Sequence, residues 1–246
     1  MRNKEHSNNN YRKEPEVLVF DVFGTVVDWH GSITREVEAM ALPVDGGEFA
    51  NEWRKGYRPA MEGVMERMAE DERFWLNIDD LHRQILDQLL IRYDIQLSET
   101  QTAHLNKVWH RLAPWADSAK GLSRLKSQFT ICTLSNGNMS LLTHLSKSGG
   151  LPWDCILSAE IFKRYKPHPE VYLSVARLFD IAPEDVMLVA AHHDDLEAAR
   201  SCGFATAYIE RPFEFGANAP KDVTPRPDNT LHAKDIHDLA NQFGIG

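Results

Sequence analysis

Glu16-Val-Leu-Val-Phe-Asp21, closed by Val22-Phe-Gly24, is the stretch on which the fold turns. Its apolar residues are consecutive rather than alternating, and two of them are β-branched. A strand with one wet face would alternate polar and apolar residues. An unbroken run bounded by glycine instead marks a strand buried on both faces, as in a parallel sheet covered by helices. Runs of the same kind recur at residues 129–134, 155–158, 186–191 and 206–209. Helical patterns lie between them, one after Asn138 and another starting near Pro169, where proline suits a first helical turn. Strands alternating with helices predict right-handed βαβ units, and hence an α/β fold around a parallel sheet.

Residues 29–115 interrupt this alternation, because they contain no buried-strand run and their apolar residues follow helical spacing. Leu81, Ile85 and Leu89 share one face. Ser98 and Gln101 have the spacing of a capping box ahead of Leu105, Val108, Trp109 and Leu112. Residues 213–229, rich in Pro, Gly and Asp, read as a loop before a short terminal helix. The expected organisation is a disordered polar arm at 1–15, a core built from 16–28 and 116–246, and a helical insert at 29–115.

The 246 residues carry a formal charge of −9, which repels phosphate backbones and leaves no basic stripe for nucleic acid. The longest apolar runs are far too short to cross a bilayer, and the polar opening has no basic-then-apolar leader. Cys132, Cys155 and Cys202 lack CxxC spacing, which predicts neither a disulfide framework nor a zinc site. These features predict a cytoplasmic protein that acts on a small molecule, with no nucleic-acid or membrane partner.

Ligands of open parallel sheets bind outside the carboxyl ends of the strands. Three of the expected strands end in polar clusters: Asp21 with Thr25, Ser135-Asn136, and His192 to Asp195. Lys166 adds a fourth group just ahead of a helix. Taken singly, each is a turn, cap or surface residue. Their joint placement at strand ends points to a single site.

Phe20-Asp-Val-Phe-Gly-Thr25, Leu134-Ser-Asn136, Tyr165-Lys-Pro167 and Val189-Ala-Ala-His-His-Asp-Asp195 resemble, in order, the four motifs of the haloacid dehalogenase superfamily. The resemblance implies a Rossmann-like parallel sheet with a helical cap domain inserted after the first strand, and Asp21 as a nucleophile. Most members of that superfamily are magnesium-dependent phosphatases, with a second aspartate two residues after the nucleophile and metal-ligating aspartates in the last motif. Phe23 and Ala191 stand at two of those positions here. Both departures oppose phosphoryl transfer, which needs charge compensation by metal, although a shifted register would let Asp194 help bind one. A magnesium-dependent phosphatase and an idle small-molecule binder of the same fold stay open as alternatives.

The sequence is most similar to the type II 2-haloacid dehalogenases, which use no cofactor. That resemblance implies that Asp21 displaces halide from the α-carbon of a short 2-haloacid, forming an ester that water then hydrolyses. Thr25 would position Asp21, Phe23 would desolvate it, and Lys166 would keep it ionised. Ser135, Asn136 and Tyr172 would sit at the substrate. Asn136 or a cap arginine would meet the halide, with Arg54 in Trp53-Arg54 matching better than Arg35 for the arginine. Asp195 would orient or deprotonate the water, joined by His192 or, failing that, His193, since Ala190-Ala-His192 replaces a Ser-Ser-Asn pattern. Some dehalogenases resembling this variant accept fluoroacetate, for which Arg54, His192, Trp29, Trp53, Tyr57 and Phe74 are candidate donors and walls. A homodimer is also implied by the resemblance.

Overall fold

The computed structural model describes residues 14–246, so most of the arm expected at 1–15 lies outside the described residues. Among the described residues eight strands form two sheets: β1 (Val17–Phe20), β2 (Val27–Asp28), β3 (Ala113–Pro114), β4 (Thr130–Ser135), β5 (Cys155–Ser158), β6 (Val186–Ala190), β7 (Ala205–Ile209) and β8 (Leu231–Ala233). The main sheet has the order β5-β4-β1-β6-β7-β8 and every pairing in it is parallel. β1 is central, with Phe20 opposite Thr133 on one side and Val189 on the other.

The unbroken apolar run of β1 divides by side-chain alternation. Leu18 and Phe20 enter one core, and Val17 and Val19 enter the core on the opposite face. All four are buried, as expected for a strand covered on both sides. The chain leaves β1 toward β4 and β5, then returns to the other side through β6, β7 and β8. The sheet therefore changes direction at β1, which opens a crevice at its carboxyl end.

Helices α1 (Trp29–Ala39), α2 (Gly46–Glu70), α3 (Ile78–Arg92) and α4 (Glu99–Asn106) follow β2. Local chemistry starts each of them. Asp28 and Asp45 cap α1 and α2 by accepting from Gly31 N and Glu48 N, both at 2.8 Å, and Ser98 with Gln101 forms a capping box on α4. The pattern running to Leu112 is not one helix, because α4 gives way to a 3₁₀ turn at Lys107–His110. β2 and β3 pair antiparallel, Val27 with Pro114 and Asp28 with Ala113, tying the two ends of this segment together. Its interior is aromatic. Trp53 meets Trp109 edge-on at 5.6 Å, and His82 stacks on Trp109 at 3.9 Å.

The remaining helices are α5 (Ser118–Lys126), α6 (Met139–Gly149), α7 (Ala159–Phe162), α8 (Pro169–Phe179), α9 (His193–Ser201) and α10 (Ile236–Gln242). Pro169 opens α8, and α10 is the short terminal helix. β8 has no counterpart among the sequence-derived runs. It is a three-residue edge strand paired, among the described residues, with β7 alone, and it is too short to show a period.

Candidate active site

Asp21 leaves the end of β1 between the ends of β4 and β6, and its carboxylate is enclosed by three donors. Lys166 Nζ is 3.0 Å from Oδ1, while Thr25 Oγ1 donates to Oδ2 at 2.8 Å and His192 Nδ1 lies 3.1 Å from the same oxygen. Thr25 is fixed in turn, because its hydroxyl accepts from Ala191 N at 2.9 Å. Burial pushes the Asp21 carboxyl up, but Lys166, His192 and Thr25 outweigh it and hold the group well below the usual carboxylate range. Asp21 is thus ionised, with its charge met by hydrogen bonds rather than bulk water.

Lys166 also donates to Asp195 Oδ2 at 2.5 Å, and Tyr172 donates its phenol to Asp195 Oδ1 at 2.6 Å. One ammonium therefore serves two buried carboxylates. Burial and the charge of Asp21 push Asp195 above the usual range despite Lys166, so the two acids are driven apart. Lys166 is raised: burial opposes its charge, and Asp195 and Asp21 restore it.

A cavity of about 240 Å³ opens over Asp21 between the sheet and α2. Phe23, Tyr57 and Met61 supply apolar wall, and Arg54, Asn136, Lys166, Tyr172, His192 and Asp195 supply polar atoms. Arg54 Nη1 is buried without a hydrogen-bond partner among the described residues, and its guanidinium lies 4.3 Å from the centre of the Tyr57 ring. A cationic donor buried without a partner favours an anionic ligand. Asn136 accepts from Lys166 N at 2.8 Å through Oδ1. Among the described residues its amide group reaches only Met61 Sδ at 3.2 Å and Lys166 O at 3.4 Å, weak partners that a ligand can replace. At the mouth, Arg58 on α2 meets Asp194 on α9 at 2.5 Å, an exposed pair.

Other sequence candidates lie elsewhere. Ser135 is wholly buried beneath the cavity, where its hydroxyl accepts from Gly137 N, and it does not line the space. Arg35 bonds Ser32 and faces a separate shallow cavity. His193 stacks on Tyr208 at 4.3 Å, away from Asp21. Trp53 donates to the His82 carbonyl inside the insert, and Phe74 packs under Arg67, so of the aromatics expected as walls Tyr57 alone borders the cavity.

Asp21, Lys166, Asp195 and the glycine-bounded β1 lie within residues 15–203, which match the family model described as hydrolase, haloacid dehalogenase-like hydrolase. The chain belongs to the haloacid dehalogenase-like hydrolases. It is similar to the crystal structure of an L-2-haloacid dehalogenase, at 40% identity and a TM-score of 0.86, over 94% of this chain and 100% of that one. It is equally similar to a defluorinating L-2-haloacid dehalogenase, at 40% identity and a TM-score of 0.85, over 93% and 94% of the two chains. An (S)-2-haloacid dehalogenase 4A of Burkholderia cepacia is 28% identical over 78% of this chain and 82% of its own.

Many haloacid dehalogenase-like hydrolases use magnesium, but the residues here do not fit it. Both oxygens of Asp21 face cationic or hydroxyl donors, both oxygens of Asp195 are taken by Lys166 and Tyr172, and position 191 is alanine. A divalent ion at this point would meet an ammonium group. Two charged residues of this hydrolase have no counterpart in the sequence reading. Glu214, wholly buried, lies 2.8 Å from His192 Nε2, and Lys221 donates to Glu214 at 2.6 Å. Both fall in the segment read as a plain loop. The only sequence signal is indirect: Gly24, at φ +85°, has no room for a Cβ because Glu214 Oε1 would lie 2.2 Å away.

Proposed function

We propose that this protein hydrolyses short 2-haloalkanoic acids to 2-hydroxyacids through an ester on Asp21, without metal, with residues 29–115 acting as the cap. The observation that carries the reading is the pairing of an ionised, buried Asp21 with Phe23. A phosphatase needs an acid at that position for its leaving alkoxide. Halide leaves as a stable anion and needs no proton, whereas an apolar wall strengthens a carboxylate nucleophile by keeping water away.

In this reading the substrate carboxylate exchanges for the weak partners of the Asn136 amide, and Arg54 Nη1 faces the departing halide. Asp21 attacks the α-carbon from the side opposite the halogen, and the configuration inverts. Lys166 keeps the carboxylate charged until the bond forms. A water then attacks the acyl carbon of Asp21 beside His192 and Asp195, and the 2-hydroxyacid departs. Tyr172 holds Asp195 through this cycle. The similarity to a defluorinating enzyme at 40% identity supports including fluoroacetate among the substrates. Fluoride, the poorest leaving group of the halides, would draw on the same Arg54 donor.

The test is halide release from L-2-chloropropionate, chloroacetate and fluoroacetate, with and without EDTA. Release that EDTA leaves unchanged is expected. No halide from any of the three, with metal-dependent phosphate release from a small organic phosphate, overturns the reading.

A further inference from the structure

Glu214 is completely buried in the loop after β7. Burying a carboxylate is costly unless its oxygens are paired, and separate parts of the chain converge to pair it. His192 Nε2 lies 2.8 Å from Oε1, Trp29 Nε1 donates to the same oxygen at 3.1 Å, and Lys221 Nζ donates to Oε2 at 2.6 Å. Lys221 also donates to the carbonyl of Ala191 at 2.6 Å, which ties this loop to the residue just before His192. Gly24 clears the space.

The second nitrogen of His192 faces Asp21 Oδ2 at 3.1 Å. Ionised carboxylates only accept, so each ring nitrogen carries a proton and the ring is an imidazolium between two anions. Its pKa agrees: burial opposes the charge, but Glu214 and Asp21 raise it to about 10. In that state His192 cannot accept a proton from water. Asp195 is no better placed, because an ammonium and a phenol occupy both of its oxygens.

We propose that Glu214 is the positioning residue for ester hydrolysis: it fixes His192 beside Asp21, and esterification of Asp21 turns His192 from an ion-pair partner into the base that activates water. This rests on the dehalogenase reading. Attack forms the bond from an Asp21 oxygen to the α-carbon and breaks the carbon–halogen bond, whose electron pair leaves with halide. Asp21 loses its charge, and the imidazolium, left with one anionic partner, gives its Nδ1 proton to solvent. The neutral ring keeps Nε2–H on Glu214, which leaves the Nδ1 lone pair facing the ester. Nδ1 takes a proton from water as the water oxygen bonds to the acyl carbon. The adduct breaks its bond to the substrate oxygen, and that alkoxide takes the proton remaining on the newly added oxygen. Asp21 returns as carboxylate and His192 as imidazolium. One water is consumed, and one halide and one proton are released.

The experiment is rapid-quench turnover of L-2-chloropropionate by wild type, Glu214→Gln, and the charge-balanced Glu214→Gln/Lys221→Met. Both variants are expected to release the first halide with the wild-type burst, while steady-state turnover falls about 100-fold, within the usual span for a lost general base. Mass spectrometry should then find the ester accumulating on the Asp21 peptide. A burst slowed as much as turnover, or no accumulated ester, overturns the proposal. Nitrogen NMR of the His192 ring in the same proteins gives a substrate-free readout: both nitrogens protonated in wild type at neutral pH, and that state lost in the variants. A doubly protonated ring that persists without Glu214 overturns the proposal. Absence of halide from wild type, with the ring behaving as expected, instead condemns the dehalogenase reading.

Discussion

The Arg54 guanidinium lies 4.3 Å from the centre of the Tyr57 ring and presents a buried, unpaired Nη1 at the cavity. Stacking fixes the plane of the fork while leaving a donor free, so the cation is held ready for an anion. Burial raises the Tyr57 phenol to about 12, which keeps that ring neutral across the working pH range.

Replacing Arg54 with Ala is expected to lower kcat/KM by roughly 100-fold or more, the cost of a lost charge-assisted contact in a desolvated site. Arg54→Lys should recover only part of this, because a point charge on a flexible stem does not reproduce the stacked fork. Halide release from L-2-chloropropionate measures both.

Lys166 favours the charged form of both Asp21 and Asp195, so Lys166→Met should let Asp21 take up a proton in the accessible range. The halide burst of wild type is expected to stay flat as pH falls to about 5, since Asp21 is held well below the usual carboxylate range. In the variant an acid limb should appear at higher pH. Burst amplitude and rate against pH decide it.

Phe23 packs edge-on against Tyr57 at 6.3 Å and Trp109 at 5.6 Å. Phe23→Asp would place a carboxylate among those rings beside the charge of Asp21. It should destabilise the fold by about 3 kcal/mol or more and should not create magnesium-dependent phosphatase activity, because Ala191 and Lys166 still oppose the metal. Urea unfolding and phosphate release with added magnesium test the two halves separately.

The pair of His192 and Glu214 gives stability a defined pH window. His192 is raised from 6.5 to about 10, so its contribution is complete below about 6.5 and fades as pH rises through 10. Glu214 is lowered from 4.5 to about 2, because His192 and Lys221 outweigh its burial, so its contribution is complete above about 4.5 and fades as pH falls through 2. The stability difference between wild type and His192→Asn, followed by denaturant unfolding, should therefore be largest between these limits, on the order of a few kcal/mol.

Much of this arrangement is legible in the sequence because β1, β4 and β6 are buried on both faces and read as unbroken apolar runs, each ending in a polar group. Asp21, Lys166, His192 and Asp195 follow from that placement together with the family resemblance. Side-chain direction is harder to read. Helical spacing puts Trp53 and Tyr57 on apolar surface alike, but only packing turns Tyr57 to the cavity and Trp53 to His82. Ser135 follows the same logic, since strand alternation turns it inward while Asn136 faces the ligand space. Glu214 is illegible because its partners Trp29 and His192 are 185 and 22 residues away, and no local period records such contacts.

The covalent role of Asp21 is tested most directly by a single turnover of L-2-chloropropionate in ¹⁸O-water with enzyme in excess. Hydrolysis of an Asp21 ester puts the heavy oxygen on the Asp21 side chain and leaves the first 2-hydroxyacid unlabelled. Label in the product of that first turnover, with an unlabelled Asp21 peptide, would mean that water attacks the substrate directly and would contradict the account.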